Sequence, residues 1–308
     1  MQIDAVNLFK KCFKQISIKE LNERISNFRR AVDLRTITEI RLKAELHKLF
    51  SVNLNEESVS FFIKSDTETL PHSKHHFYRI RKFSKEDYLG LENKTFVSMQ
   101  QESDAWLRPP EQVTTYGRLN RPKNSILYLS YEPTNAIFET DCKINECFFL
   151  LVYENKKQMR LSQIQSTAYF EEFDELENAK IIILNNFLLS EFTRWVSSGR
   201  EYLYRSSLAI YEEFFFTDLI DGFCYPSIRS ESKTGFNICF SESSAKNNLS
   251  LLGVMVCQLQ GPTIESEFGF NLIYDGFLSD GSFSFYGANS DIARQKYGPF
   301  AFIRDMGL

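Results

Sequence analysis

Residues 117–140 combine basic, aromatic and acidic side chains at short spacing. The side chains that could do chemistry here are Arg118, Asn120, Arg121, Tyr128 and Glu139. Arginine donates paired N–H groups to phosphate or carboxylate oxygens, and a carboxylate nearby supplies one negative charge. The stretch therefore predicts a site that holds an anionic ligand with a carboxylate placed against it.

A second group of candidate residues lies in the alternating sequence of residues 76–83. Alternation of this kind is typical of a strand and predicts Phe77, Arg79, Arg81 and Phe83 on one face, with Tyr78 and Ile80 on the other. Two arginines beside large aromatics are compatible with a ligand-binding face. They are equally compatible with an exposed edge strand that carries charged gatekeepers.

The position of the histidines excludes several catalytic classes. All four precede Phe77, so a Ser-His-Asp triad or a histidine-ligated metal is not expected in the rest of the chain. The group His72, Lys74, His75 and His76 favours a solvated polar linker over a metal cluster. The acidic run in residues 171–177 favours a hydrated surface over a divalent-cation site. No metal is expected.

Composition and charge indicate a globular protein without a broad nucleic-acid surface. The chain has 308 residues, of which 43% are apolar and 15% aromatic, and its formal net charge is −4. No two of its six cysteines are spaced as a CxxC pair, which favours free thiols in a reducing cytosol over disulfides or a zinc site. Because no signal layout or membrane-length apolar run is present, we expect a soluble cytoplasmic protein.

The arrangement of periodic segments predicts the α+β class. Residues 1–50 are expected to be helical, with the stripe Leu21, Ile25, Phe28 and Val32 in one helix. A second helix over residues 36–50 would pack through Ile37, Ile40, Leu46 and Leu49. The basic residues of these two helices favour a solvated face over a partner surface.

Further along the chain, apolar patterns predict strands and helices in mixed order. Strands are expected at residues 125–130, 147–154, 221–227, 236–240, 251–259, 270–278 and 283–286. Helices are expected from Pro133, over residues 181–196 and over residues 200–216. We therefore predict an N-terminal helical region, residues 1–70, and a main domain, residues 71–308.

Four features in chain order resemble the RES domain, a family named for its Arg, Glu and Ser. The resemblance covers about residues 77–240, and its most specific part runs from Arg118 to Glu139. The features are Tyr78-Arg79, Gly117-Arg118 with Asn120, Leu127-Tyr128 followed by Glu139, and Tyr225-Pro226-Ser227 with Asn237 downstream.

This resemblance implies an ADP-ribosyltransferase-like mixed β core with helices, and a toxin of a two-gene toxin–antitoxin system. Such toxins consume NAD⁺ by phosphorolysis or hydrolysis, or transfer its ADP-ribose to a protein, and their usual partner is a helix-turn-helix antitoxin. NAD⁺ would be a substrate, with no cofactor, and a homo-oligomer would be compatible. Carried over, the pocket would consist of Arg79, Arg118, Tyr128, Glu139 and Ser227.

The residue types agree with that chemistry. Nicotinamide leaves as a neutral group, so no acid histidine is required, and the ribose passes through an oxocarbenium-like state. Glu139 would supply negative charge at the ribose, and Arg79 and Arg118 would clamp phosphates. Tyr128 could stack on nicotinamide and Ser227 could hydrogen-bond its amide or the ribose. Arg81 competes with Arg79 for its role.

The chain departs from compact RES members by apparent insertions at residues 85–113 and 181–216. The N-terminal helices and a β-rich C-terminal extension lie outside the resemblance. A protein-modifying ADP-ribosyltransferase and a catalytically silent nucleotide-binding module therefore stay open as alternatives to an NAD⁺-degrading enzyme.

Overall fold

A computed structural model describes residues 2–54, 56–60, 67–70, 75–164, 170–227, 235–261, 269–288 and 290–295. Helices and strands are mixed along the chain, which confirms the predicted α+β class. The ADP-ribosyltransferase-like core stays a prediction.

The elements follow in chain order. The helices are α1 (Gln2–Gln15), α2 (Ile18–Ala31), α3 (Glu39–Leu49), α4 (Lys85–Leu89), α5 (Glu102–Ala105), α6 (Pro133–Thr140), α7 (Glu175–Phe192), α8 (Arg205–Ile210), α9 (Glu242–Asn248) and α10 (Asp291–Gln295). The strands are β1 (Ser51–Leu54), β2 (Glu57–Ser60), β3 (Thr67–Leu70), β4 (His76–Lys82), β5 (Ile126–Ser130), β6 (Cys147–Asn155), β7 (Met159–Gln163), β8 (Gly222–Pro226), β9 (Phe236–Ser241), β10 (Leu249–Leu259), β11 (Phe270–Ser279) and β12 (Ser282–Gly287). A π-helix, Tyr211–Phe215, directly follows α8.

The chain divides into two compact units. The first consists of residues 1–69, 110–124 and 160–228, and the second of residues 70–109, 125–159 and 229–308. The predicted boundary near residue 70 coincides with the end of one segment of the first unit. The helices of residues 1–70 are part of a larger unit that also contains residues 110–124 and 160–228.

Aromatic packing explains why the N-terminal helices belong to that larger unit. The ring of Phe28 in α2 lies edge-on to Phe187 of α7, with centroids 5.6 Å apart, and the ring of Phe50 lies 5.9 Å from the same ring. Phe13 of α1 contacts Phe173, just before α7. These rings are buried only when α7 and the residues just before it pack against them, and those partners are distant in sequence.

The first unit confirms part of the predicted helical stripes. Ser17 Oγ accepts a hydrogen bond from Glu20 N at 3.1 Å and caps α2, in which Leu21, Ile25 and Phe28 are buried. In α3 the prediction for Ile40 is wrong, because its side chain is 84% exposed. The buried positions of α3 are Leu42, Leu46 and Leu49. Strands β7 and β8 of this unit pair in parallel.

The second unit contains an antiparallel sheet in the order β12-β11-β10-β6-β4-β5-β9. Helix α6 covers one face of this sheet, and α5 lies on the opposite face. The core on the α6 side includes Tyr78, Ile80, Ala136, Ile137, Phe148, Leu150 and Val152. This layering decides which side chains of the sheet can meet Glu139 of α6.

All six cysteines are free thiols, as predicted, with Cys142 half-buried and the others buried. In the residues that the structure describes, no helix combines the length and apolar character that crossing a bilayer requires.

Gly276 gives a test of packing in the sheet of the second unit. A Cβ added to Gly276 would lie 2.4 Å from Cε1 of its cross-strand partner Phe285. Phe285 is buried against Phe96, with ring centroids 4.7 Å apart, so it cannot move away easily. We expect Gly276→Ala to lower the free energy of unfolding by about 1–3 kcal/mol, measured by urea denaturation.

Gly287 of β12 is the matched control, since nothing lies within 4 Å of an added Cβ there. Gly287→Ala should change the free energy of unfolding by less than about 0.5 kcal/mol. Equal losses in the two variants would contradict this description of the packing.

Candidate functional site

The residues singled out in the sequence are distributed over both units. Arg118, Asn120 and Ser227 belong to the first unit, and Arg79, Arg81, Tyr128 and Glu139 belong to the second.

In the second unit, a chain of hydrogen bonds holds the Glu139 carboxylate. Asn237 Nδ2 donates to Glu139 Oε1 at 2.9 Å, and Ser130 Oγ donates to Asn237 Oδ1 at 2.8 Å. Ser130 and Asn237 are direct partners across β5 and β9, and both are buried. Because Asn237 is neutral, it orients the carboxylate without cancelling its charge.

The backbone before β9 approaches α6 closely, and this approach brings Asn237 near Glu139. A Cβ added to Gly235 would lie 1.9 Å from Nδ2 of Asn135, which is buried one helical turn before Glu139. Only glycine at this position lets the two segments come together without displacing Asn135. Glu139 itself is half-buried in the last turn of α6, which ends at Asp141 in the left-handed region.

Two tyrosines share this side of the sheet, which we call the α6 face and define by Tyr78, Ser130 and Asn237. Tyr78 is the cross-strand partner of Ser130, and direct partners point to the same side of a sheet. Tyr128 lies two positions before Ser130 and is half-buried on that side. Burial raises the pKa of the Tyr78 phenol above its ordinary value, so this hydroxyl stays protonated.

Arg79 and Arg81 lie on the opposite face of the same strand. Arg79 Nη1 donates to the backbone oxygens of Ala105 and Trp106, and Arg81 Nη1 donates to Asp104 O at 2.6 Å. This placement confirms the predicted alternation of β4. It also means that the structure does not bring Arg79 or Arg81 to the Asn237–Glu139 pair, because alternate residues of a strand face opposite sides.

In the first unit, Arg118 caps the carboxyl end of α7. Its buried guanidinium donates through Nη1 to Phe192 O and Arg194 O, both at 2.8 Å. It also lies over the rings of Tyr204 and Tyr225, 5.0 and 5.8 Å from their centroids. One guanidinium nitrogen expected to clamp phosphate is therefore engaged with two backbone carbonyls, one at the last residue of α7 and one just beyond it, where helical partners are lacking.

Asn120 and Ser227 are also buried in the first unit. Asn120 O accepts from Gly117 N at 2.9 Å, and Asn120 Nδ2 donates to Arg121 O at 3.2 Å, so this residue shapes its own loop. Ser227 directly follows β8, two positions after the Tyr225 ring that contacts Arg118. Arg118 and the end of β8 are thus neighbours within this unit.

Arg121 is the centre of a separate ion network in the first unit. Its guanidinium contacts the carboxylates of Glu39 and Glu212, and Lys43 contacts Glu213 at 2.6 Å. Hydrogen bonding from Arg121 lowers the pKa of Glu39. The network borders a small open depression lined by Glu39, Arg121 and Glu212 and ties α3 to the π-helix, which indicates a structural role for Arg121.

The described ranges contain no cluster of three or more His, Cys, Asp or Glu side chains suited to a metal. The acidic run forms the start of α7, where Asp174 Oδ1 accepts from Glu177 N at 2.7 Å and caps the helix. His72 and Lys74 lie outside the described residues.

Sequence reasoning singled out Glu139 but did not assign Ser130, Tyr78 or Asn237 to the site. Asn237 stood within the motif used for the resemblance, and period-two alternation placed Tyr78 away from Arg79.

No family model and no curated protein matches the chain. The resemblance to the RES domain therefore rests on the residues themselves.

Arg118 provides a test of the capping role. Arg118→Gln should lower the free energy of unfolding by about 1–3 kcal/mol, because two carbonyls at the end of α7 lose their partner. Arg160→Gln is the matched control, since Arg160 is exposed on β7. Equal urea midpoints for Arg118→Gln and wild type would show that the cap contributes nothing to stability.

Proposed function

We propose that the protein cleaves the bond between nicotinamide and ribose in NAD⁺, with Glu139 as the catalytic carboxylate. The observation that supports this proposal most strongly is the hydrogen bond from Asn237 Nδ2 to Glu139 Oε1, 2.9 Å long. The RES resemblance supplies the substrate class, and the second unit supplies an oriented carboxylate.

The chemistry needs negative charge near a sugar carbon more than it needs an acid. Nicotinamide departs as a neutral molecule, and positive charge then develops on the ribose ring. A carboxylate oriented beforehand stabilises that charge without reorganisation during the reaction. Asn237, which donates to Glu139 Oε1, is itself uncharged.

Tyr128 is the proposed aromatic contact for the nicotinamide ring. It is half-buried and shares the α6 face with Ser130 and Asn237. An aromatic side chain gives a flat apolar surface on which a heteroaromatic ring can stack. Arg118, Asn120 and Ser227 belong to the first unit and are not part of this proposed contact.

Three nucleophiles can follow the same bond cleavage. Phosphate would give phosphorolysis, water would give hydrolysis, and a protein side chain would give ADP-ribose transfer. The leaving group and the role of Glu139 are common to all three. By the same resemblance, the proposed protein partner is a helix-turn-helix antitoxin.

Removing the charge of Glu139 should stop the reaction. Glu139→Gln preserves size and shape, and we expect it to lower the rate of nicotinamide release from NAD⁺ by about a hundredfold or more. Glu242→Gln is the control, because Glu242 is an exposed carboxylate of α9 paired with Lys246. Release is followed with and without phosphate, and labelled NAD⁺ reports transfer to protein.

Wild-type protein that releases no nicotinamide would contradict the proposal, and so would equal release by Glu139→Gln. Tight NAD⁺ binding without turnover would instead indicate a silent nucleotide-binding module.

Asn237 should act as a positioning residue, and its charge can be changed to test this. Asn237→Asp places a second carboxylate beside Glu139, and two like charges this close disfavour ionisation of both. The acid limb of the pH profile for kcat should therefore move to higher pH, whereas Asn237→Ala should lower kcat with little change in KM. A pH profile that is unchanged in Asn237→Asp would show that Asn237 does not position Glu139.

A further inference from the structure

Ser130 is a buried polar residue at the end of β5. It is 3% exposed, whereas the other buried residues of this strand, Leu127 and Leu129, are apolar. A buried hydroxyl costs free energy unless it forms a hydrogen bond. Ser130 Oγ forms one by donating to Asn237 Oδ1 at 2.8 Å. The role of this serine is therefore to be sought at Asn237.

The side-chain amide of Asn237 is held at both of its ends. Its oxygen Oδ1 can only accept and receives the proton of Ser130, and its nitrogen Nδ2 can only donate and bonds Glu139 Oε1 at 2.9 Å. Asn237 is 4% exposed, so water has little access to either end. The bond from Ser130 therefore directs the donor end of the amide towards Glu139.

The bond to Glu139 alone would hold the amide less firmly. A half-turn about the last side-chain bond of Asn237 exchanges oxygen and nitrogen with almost no change in shape, so packing does not choose between the two orientations. The orientation with Oδ1 towards Glu139 sets two acceptors against each other. Ser130 opposes that rotation because it is the direct cross-strand partner of Asn237. A proton donated to Oδ1 also polarises the amide and strengthens donation by Nδ2.

We infer that Ser130 is a positioning residue for Glu139, which it orients by holding the Asn237 amide with Nδ2 towards the carboxylate. Ser130 acts through Asn237 and is assigned no contact with the substrate. The effect of Ser130 on a reaction rate rests on the proposed cleavage of NAD⁺. Its effect on the Asn237 amide rests on the two hydrogen bonds alone, so the two effects are measured separately.

The kinetic test uses the full chain and nicotinamide release from NAD⁺. Ser130→Ala should lower kcat by about tenfold with little change in KM, as for loss of one hydrogen bond. Ser130→Cys keeps the side-chain volume but donates weakly, so it should lose nearly as much. In an Asn237→Ala background, Ser130→Ala should lower kcat by less than about twofold, because the residue that it positions is gone. Ser162→Ala is the control, since Ser162 is a buried serine of β7.

A second measurement does not depend on turnover. The side-chain amide of Asn237 gives a nitrogen–hydrogen NMR signal, which Asn237→Ala identifies by its loss, and Ser130→Ala should shift that signal and speed its exchange with solvent. Wild type that releases no nicotinamide would refute the proposed function, and the NMR signal would still decide the role of Ser130. An Asn237 signal that Ser130→Ala leaves unchanged would overturn the inference, as would wild-type kcat in Ser130→Ala or Ser130→Cys of an active enzyme.

Discussion

The alternation of side chains along β4, β5 and β9 decides which residues of the second unit can act together. Ser130 pairs with Tyr78 on one side and with Asn237 on the other, so all three share one face of the sheet. Glu139 reaches that face from α6 through its bond to Asn237. Arg79 lies one position from Tyr78 and must point to the other side. This register therefore places Glu139 and Arg79 on opposite sides of the sheet.

Much of the local structure could be predicted from sequence. The strand before Glu139, the helix that begins at Pro133 and the alternation of residues 76–83 are local patterns, and the structure confirms them. The face on which each candidate lies could not be predicted, because it depends on the pairing of β4 with β5, which are distant in sequence. Motif order placed Arg79 with Glu139, and strand pairing separates them.

In the first unit, the packing partners of the N-terminal helices and of Arg118 are distant in sequence, so local patterns did not predict them. The N-terminal helices read as a separate domain because their apolar stripes are local, but the rings that cover Phe28 and Phe50 come from α7. The sequence predicted a ligand-binding role for Arg118 because its motif is basic. Its carbonyl partners follow more than seventy positions later, at the end of α7, and no local pattern marks them.

We propose that NAD⁺ chemistry takes place on the α6 face, at Glu139. The most direct measurement is a crystal structure of Glu139→Gln, the variant expected to bind without turnover, in complex with NAD⁺. We expect the nicotinamide ribose against residue 139, with the nicotinamide ring beside Tyr128. A dinucleotide whose ribose lies on the opposite face of the sheet, beside Arg79, would contradict this proposal.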